Sequence, residues 1–100
     1  MNDLEVEARL DYLGLNENRV TLRQIQSKVK EELYYNFPGT TTTVCCLILE
    51  NGYSVIGSSS CTNMENFQED LGKSISKENA INKIWELEGY LLKEKLNTKN

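Results

Sequence analysis

The chain has 100 residues, of which 39% are hydrophobic and 26% charged, and this composition indicates one small globular domain rather than a disordered or fibrous segment. Its net charge of −4 disfavours a nucleic-acid partner, because proteins that bind duplex DNA obtain much of their affinity by neutralising phosphates. No apolar run approaches the roughly 20 residues of a membrane span, and the N-terminus lacks the features of a signal peptide, so we expect a soluble, cytoplasmic protein with no membrane partner.

Two helices are predicted before the first strand. Residues 1–20 are interpreted as an N-terminal extension that contains a short helix over residues 3–13. Thr21 and Gln24 have the spacing of a capping box, and apolar residues then recur at three- and four-residue intervals. This pattern predicts an amphipathic helix that runs to about Asn36.

A β-hairpin is predicted around the Asn51-Gly52 pair, because this dipeptide suits a two-residue type I′ turn and lies between two runs rich in β-branched residues. The run from Val44 to Leu49 is apolar on both faces of the pleat, and two strands alone do not bury it. We therefore expect helices to cover one face and a second copy of the chain to cover the other face or an open edge. The expected assembly is a homo-oligomer, either a dimer or a tetramer.

Asn63 is expected to cap a long C-terminal helix or helix pair, in which apolar residues keep a helical period from Phe67 to Leu91. Gly72 and Gly89 interrupt this pattern at a cost of about 1 kcal/mol each relative to alanine. The two glycines predict either close helix contacts or a break in the helix near Gly89.

Together these elements predict an α+β fold made of a helix, a β-hairpin and a long C-terminal helix or helix pair, with the sheet completed or covered by oligomerisation. Residues 21–96 are expected to form this single domain, and residues 97–100 are expected to be a frayed polar tail.

The residues for most enzyme chemistry are missing from the sequence. There is no histidine, the commonest general base and a frequent metal ligand. Cys45, Cys46 and Cys61 lack zinc-ligand spacing, have no evident activating base and do not form a disulfide framework. No glycine-rich phosphate loop occurs. We therefore expect no enzymatic activity, no metal and no cofactor.

Hydroxyl groups are expected to gather at one end of the hairpin, because the threonine run 40–43 begins the first strand and the serine run 58–60 ends the second. Such hydroxyls can bond phosphates or ribose, although threonine is also common in strands and serine in loops. An aromatic ring from the preceding helix and lysines from the long helix could meet a base and phosphates. The candidate ligand-binding residues are Tyr34, Tyr35, Thr41, Thr43, Ser58, Ser60, Lys83 and Lys93.

Four segments of the sequence carry a likeness to a known family. They are Gly39 to Cys45 with its threonine run, Glu50-Asn51-Gly52-Tyr53, Asn66-Phe67, and the stretch from Glu78 to Leu92 that contains Trp85. In this order they resemble the gene-product-49-like family of small tailed-phage proteins, over about residues 21–96. The resemblance implies an accessory phage protein that works in the cytoplasm of the infected bacterial host.

Small phage proteins without catalytic residues often counter host defence, and several groups sequester cyclic nucleotide immune signals between subunits. By this analogy we expect a non-catalytic sponge that binds a cyclic nucleotide second messenger and so evades bacterial anti-phage defence. The alternative is a protein-interaction module that binds a host protein through its exposed strand or helices, for example by strand addition at the threonine strand. A third hypothesis is that the protein binds nucleic acid, and the negative net charge disfavours it.

Overall fold

The computed structural model describes residues 19–98, and it confirms the predicted α+β fold. The elements in chain order are helix α1 (Leu22–Lys28), strands β1 (Val29–Asn36), β2 (Thr42–Leu49) and β3 (Ser54–Ser60), a 3₁₀ turn (Met64–Asn66) and helix α2 (Glu69–Thr98). The three strands form one antiparallel sheet in the order β1-β2-β3. The short helix expected over residues 3–13 lies outside the described residues.

Helix α1 begins with the predicted capping box. The Thr21 hydroxyl accepts a hydrogen bond from the Gln24 amide at 3.1 Å, and the Gln24 side chain accepts one from the Thr21 amide at 2.9 Å. The helix is shorter than predicted, because it ends at Lys28 and not near Asn36.

Residues 29–36 form strand β1, which the sequence analysis had wrongly assigned to the helix. The apolar spacing from Leu22 to Leu33 mimics a helical period, but Leu33 lies on the opposite side of the sheet from the core. β-Branched and aromatic residues fit a pleated surface well, and β2 offers an edge with which they pair. Pairing along β2 therefore overrides the local helical pattern.

The β2–β3 hairpin is confirmed, with a loop one residue longer than predicted. Leu49 donates its amide to Tyr53 O at 2.7 Å, and Gly52 donates its amide to Leu49 O at 2.9 Å. The loop is therefore Glu50-Asn51-Gly52, in which Gly52 has a φ of 90°. A two-residue turn would pair Glu50 with Tyr53, but the Glu50 amide donates instead to Lys28 O at 2.9 Å.

Helix α2 packs across one face of the sheet, and the core lies between them. Its fully buried apolar members are Ile25, Cys45, Leu47, Ala80 and Ile84. The helix approaches β3 at Gly57, where an added Cβ would collide with the backbone at Ser76 and Ala80. Small residues on both surfaces therefore allow this close helix–sheet contact.

Helix α2 is continuous, so the alternative of a break near Gly89 is wrong, whereas close contact at Gly72 is confirmed. Its 30 residues span about 45 Å, against about 26 Å for an eight-residue strand. The C-terminal part consequently extends beyond the sheet, and it includes Asn97 and Thr98, which were expected in the tail. Asn63 does not cap α2 as predicted, because α2 begins only at Glu69; its side chain caps the 3₁₀ turn Met64–Asn66 by accepting from the Glu65 amide at 2.9 Å.

Candidate functional site

The face of the sheet that points away from α2 is the candidate functional surface. Side chains alternate across a strand, and the register of the three strands fixes which residues share this face. We call it the open sheet face. Its members are Glu31, Leu33 and Tyr35 of β1, Thr42, Val44, Cys46 and Ile48 of β2, and Ser54, Ile56, Ser58 and Ser60 of β3.

A continuous apolar patch crosses the open sheet face. Leu33, Cys46 and Ile56 lie side by side on the three strands. The exposed fractions of Leu33 and Ile56 are 48% and 50%, and Tyr35 in the next row is 55% exposed. These are unusual values for large apolar residues that share a surface with one another. The exposed side chains therefore form a contiguous apolar patch, and patches of this kind on soluble proteins often mark protein or ligand contacts.

The open sheet face also differs in height between its two edges. β1 presents the large side chains Leu33 and Tyr35, and the Tyr35 ring packs edge-on against Phe37 with 4.9 Å between centroids. β3 presents mainly serines, and the hydroxyls of Ser60 and Thr42 are 2.8 Å apart. The surface thus falls from a bulky apolar side at β1 to a low hydroxyl-bearing side at β3.

The structure divides the predicted ligand residues between the two sides of the sheet. Tyr35, Ser58 and Ser60 belong to the open sheet face, whereas Tyr34 and Thr43 lie on the side covered by α2. Tyr34 and Tyr35 point in opposite directions because they are neighbours on a strand. A single pocket that joins all of these side chains is therefore not formed.

The two predicted lysines lie far from the hydroxyl cluster. Gly72 of α2 lies next to Thr43. Lys83 comes eleven residues after Gly72, which corresponds to about 16 Å along the helix axis. Lys93 lies ten residues further, near the end of α2 that extends beyond the sheet. Both side chains are exposed. The sequence places these lysines on one helix but does not show how far along the sheet each one sits.

Of the predicted ligand residues, Thr41 and Ser60 line a common cleft. This cleft has a volume of about 220 Å³ and lies where the N-terminal part of α2 meets the end of the sheet. Its walls include Phe67, Leu71 and Ile75, and the Thr41 hydroxyl is engaged as a donor to Cys61 O. Pockets for drug-sized ligands usually measure about 300 to 1,000 Å³. This cleft by itself is too small and too apolar for a cyclic dinucleotide.

A group of polar side chains joins β1 to α2 at the covered side of the sheet. Lys77 pairs with Glu32 at 3.0 Å, and Glu32 accepts a hydrogen bond from the Tyr34 hydroxyl at 3.3 Å. Lys73 Nζ lies 5.7 Å from the centroid of the Tyr34 ring. This group was not predicted from the sequence, because Glu32 and Tyr34 were expected on a helix and lie on strand β1.

Burial raises the pKa of the Tyr34 hydroxyl above its ordinary value, and the charges of Cys45 and Glu32 raise it further. Burial also raises the pKa of the Cys45 thiol, although a hydrogen bond with Tyr34 opposes this effect. Both groups are therefore protonated near neutral pH. A protonated thiol is a weak nucleophile, so this arrangement favours structure over reaction chemistry.

Positive charge is concentrated at the junction of α1 and the C-terminal part of α2. Arg19, Lys28 and Lys95 line a cleft of about 240 Å³ together with Gln24, while Glu88 is its only acidic wall residue. We call it the basic cleft. Such a cleft can attract phosphate groups even though the whole chain is acidic.

Among residues 19–98, no three side chains of the metal-ligating types histidine, cysteine, aspartate and glutamate form a group that could hold a metal ion. Within the same range, no helix has the length and apolar character needed to cross a membrane.

Comparison with known proteins places the chain in one family. The family model described as the phage protein (N4 Gp49/phage Sf6 gene 66) family matches residues 20–96, which include α1, the whole sheet and all but the last two residues of α2. No curated protein and no solved structure matches the chain. The match covers most of the chain and confirms the resemblance found in the sequence. The chain therefore belongs to the N4 Gp49/phage Sf6 gene 66 family of phage proteins.

Proposed function

We propose that this phage protein acts by binding rather than by catalysis, and that the open sheet face is its protein-contact surface. The observation that supports the proposal is the row Leu33, Cys46 and Ile56, which is apolar across all three strands and half-exposed at both edges. Burial of apolar surface is favourable by about 25 cal/mol for each Å² removed from water, so covering this patch would stabilise a complex. Contact with another protein is the usual way in which a soluble domain covers such a patch.

The proposal of a non-catalytic protein has support from the composition and the thiol chemistry. The sequence has no histidine, and burial keeps the pKa of the Cys45 thiol raised. General acid–base catalysis and thiol catalysis both need a group poised near neutral pH.

The geometry disfavours strand addition at β2 and at the β3 edge. β2 carries the threonines Thr42 and Thr43 and is the central strand, so strand addition at the threonine strand has no free edge to use. At the β3 edge, Asn79 Nδ2 donates to Ser58 O at 2.8 Å and so occupies a carbonyl that an added strand would need.

Cysteine footprinting tests the proposal with residues that the chain already has. Cys46 lies on the open sheet face, Cys61 lies outside it, and Cys45 is buried. The measurement is the rate of maleimide modification of Cys46 relative to Cys61, in dilute purified protein and in extracts of infected cells. We expect Cys46 to be selectively protected in the extract. Equal relative rates in both samples would refute a covered face.

Sequestration of a cyclic nucleotide signal in the cytoplasm of the infected host is a second candidate function, and the basic cleft is the observation that favours it. Arg19, Lys28 and Lys95 supply charge for phosphates, and the apolar side chains Leu91 and Leu92 line the same cleft. Its volume of about 240 Å³ is below the usual range for drug-sized ligands. A dinucleotide would therefore need further walls from a second copy of the chain.

Thermal shift measurements with cyclic dinucleotides, cyclic trinucleotides and cyclic ADP-ribose isomers test this second candidate. We expect a ligand that stabilises the protein to lose at least tenfold affinity in Lys28→Ala, while the exposed Lys83→Ala on the middle of α2 serves as the matched control. Recovery of intact ligand after denaturation separates a sponge from a phosphodiesterase. The absence of any stabilising ligand in the panel would remove the support for sequestration of these signals.

A further inference from the structure

We propose that the occupant of the open sheet face is a second copy of this chain, so that two sheets pack face to face about a two-fold axis that runs along the strands. This proposal rests on the proposed function in one respect, which is that a protein covers the open sheet face. It adds that this protein is a second copy of the chain. Three observations on the described residues support a second copy as the occupant.

The first observation is the height difference across the open sheet face. Tyr35 of β1 and Ser58 of β3 lie at opposite ends of one row, with Val44 of β2 between them. A two-fold axis parallel to β2 places β1 of one copy over β3 of the other. The bulky Tyr35 side of each copy then packs on the low Ser58 side of its partner, which makes the face complementary to itself.

The second observation is the charge of the face. Glu31 is its only charged member, and it lies in the end row with Ile48 and Ser54 rather than near the centre. Two copies can therefore approach without burying a charge in the central rows, where desolvation would be costly. Protein interfaces show the same depletion of charge at their cores.

The third observation is where the face lies in the chain. All of its members fall within residues 20–96, the part that matches the family. A second copy always supplies the matching surface, whereas residues 1–18 lie outside the family match. This favours a second copy over the N-terminal segment as the occupant.

The available area sets the expected strength. Three strands about 4.8 Å apart and an eight-residue β2 give a face of roughly 14 by 26 Å, or roughly 370 Å² in projection. Standard interfaces bury about 800 Å² on each partner. Phe37, which is 47% exposed and packs against Tyr35, can extend the contact. We therefore expect a concentration-dependent dimer rather than an inseparable one.

Sedimentation velocity over a concentration series tests the dimer with an exchange of two side chains. Tyr35→Ser removes the bulky side, and Ser58→Tyr fills the low side while it adds aromatic surface, so each should weaken self-association at least tenfold. The double variant Tyr35→Ser/Ser58→Tyr inverts the gradient in both copies and should restore association. Ser74→Tyr, at an exposed position on α2, is the matched control and should leave association unchanged.

A chain that stays monomeric at several hundred micromolar overturns the inference, as does a double variant that associates no better than either single variant. Failure of this inference is distinguishable from failure of the proposed function. If the purified chain is monomeric but Cys46 is protected in infected-cell extract, another protein covers the face and the proposed function stands. If the purified chain is monomeric at several hundred micromolar and Cys46 is also unprotected in the extract, both proposals fail.

Discussion

Gly57 and Gly89 illustrate how differently two glycines of one domain respond to an added methyl group. At Gly57, a Cβ would collide with the backbone at Ser76 and Ala80, whereas at Gly89 nothing lies within 4 Å of the same position. Backbone atoms on a packed helix move only if the whole helix shifts. Contact with α2 therefore makes Gly57 a packing requirement, and Gly89 carries only the entropic cost of glycine in a helix.

We expect Gly57→Ala to lower the free energy of unfolding by about 3 kcal/mol, the upper end of the usual cost of overpacking. Gly89→Ala should raise it by about 1 kcal/mol, the difference in helix propensity between the two residues. Urea denaturation of both variants measures the contrast. Equal effects on stability would contradict the close contact between β3 and α2.

Thr43 is a buried side chain whose hydroxyl oxygen has no hydrogen-bond partner among the described residues. It is 1% exposed and faces Gly72. Because an unsatisfied buried hydroxyl is costly, we expect Thr43→Val to raise the free energy of unfolding by about 1 kcal/mol. Thr42→Val, on the open face, is the neighbouring control, and thermal unfolding of the two variants decides between them. Destabilisation by Thr43→Val would indicate a hidden polar partner.

The raised pKa values of Tyr34 and Cys45 predict a loss of stability in alkaline solution. Folding favours the protonated form of each group, so its stabilising effect is complete below the ordinary pKa, 9.0 for Cys45 and 10.0 for Tyr34, and is lost as the pH rises from that value towards the raised pKa of the folded protein. We expect the free energy of unfolding to fall above pH 9.0, by at most about 1.4 kcal/mol per pH unit for each group. Tyr34→Phe should reduce this slope. A slope that is the same in Tyr34→Phe as in the natural sequence would contradict the raised pKa of Tyr34.

At the level of elements, α1 is a short helix that is stabilised by hydrogen bonds at its first turn. It has seven residues, too few for stability as an isolated helix, and its reciprocal cap at Thr21 and Gln24 satisfies two amide groups. Burial of Ile25 against the sheet holds it in place.

Removal of the cap tests this description of α1. Thr21→Ala should lower the free energy of unfolding by about 1 kcal/mol, the usual value of an N-cap hydroxyl. Thr21→Ser retains the oxygen and should cost much less. Chemical denaturation of both variants provides the comparison, and an equal loss in both would mean that the hydroxyl does not cap the helix.

Residues 19–98 form a two-layer arrangement in which α2 covers one face of the sheet and no described element covers the other. Neighbouring residues of β2 belong to different environments, since Leu47 is fully buried beneath α2 and Ile48 belongs to the open sheet face. A lysine at either position therefore probes one layer only.

We expect Ile48→Lys to give a folded protein that self-associates less, because a charge at that position remains in water in the single copy. Leu47→Lys should prevent folding, since it places a charge inside the core. Circular dichroism and sedimentation distinguish these results. A folded Leu47→Lys or an unfolded Ile48→Lys would reverse the assignment of the two faces.

The sequence alone determined the features that depend on residues close together in the chain. The capping box at Thr21 needs a partner three residues away, and the turn at Gly52 needs only a residue that tolerates positive φ. The period of α2 is equally local, whereas the Asn63 cap was predicted for α2 and belongs to the 3₁₀ turn before it. Family membership followed from the order of such segments.

Only the tertiary structure decided that residues 29–36 form a strand and which residues share the open sheet face. The spacing of Val29 and Leu33 fits a helix locally, but β2 supplies backbone partners that are distant in sequence, and this pairing makes residues 29–36 a strand. The position of α2 then determines which residues are covered, so that Tyr34 is enclosed and Tyr35 is exposed. A side chain's neighbour on a strand faces the other way, and no local pattern specifies which of the two sides a distant helix will cover.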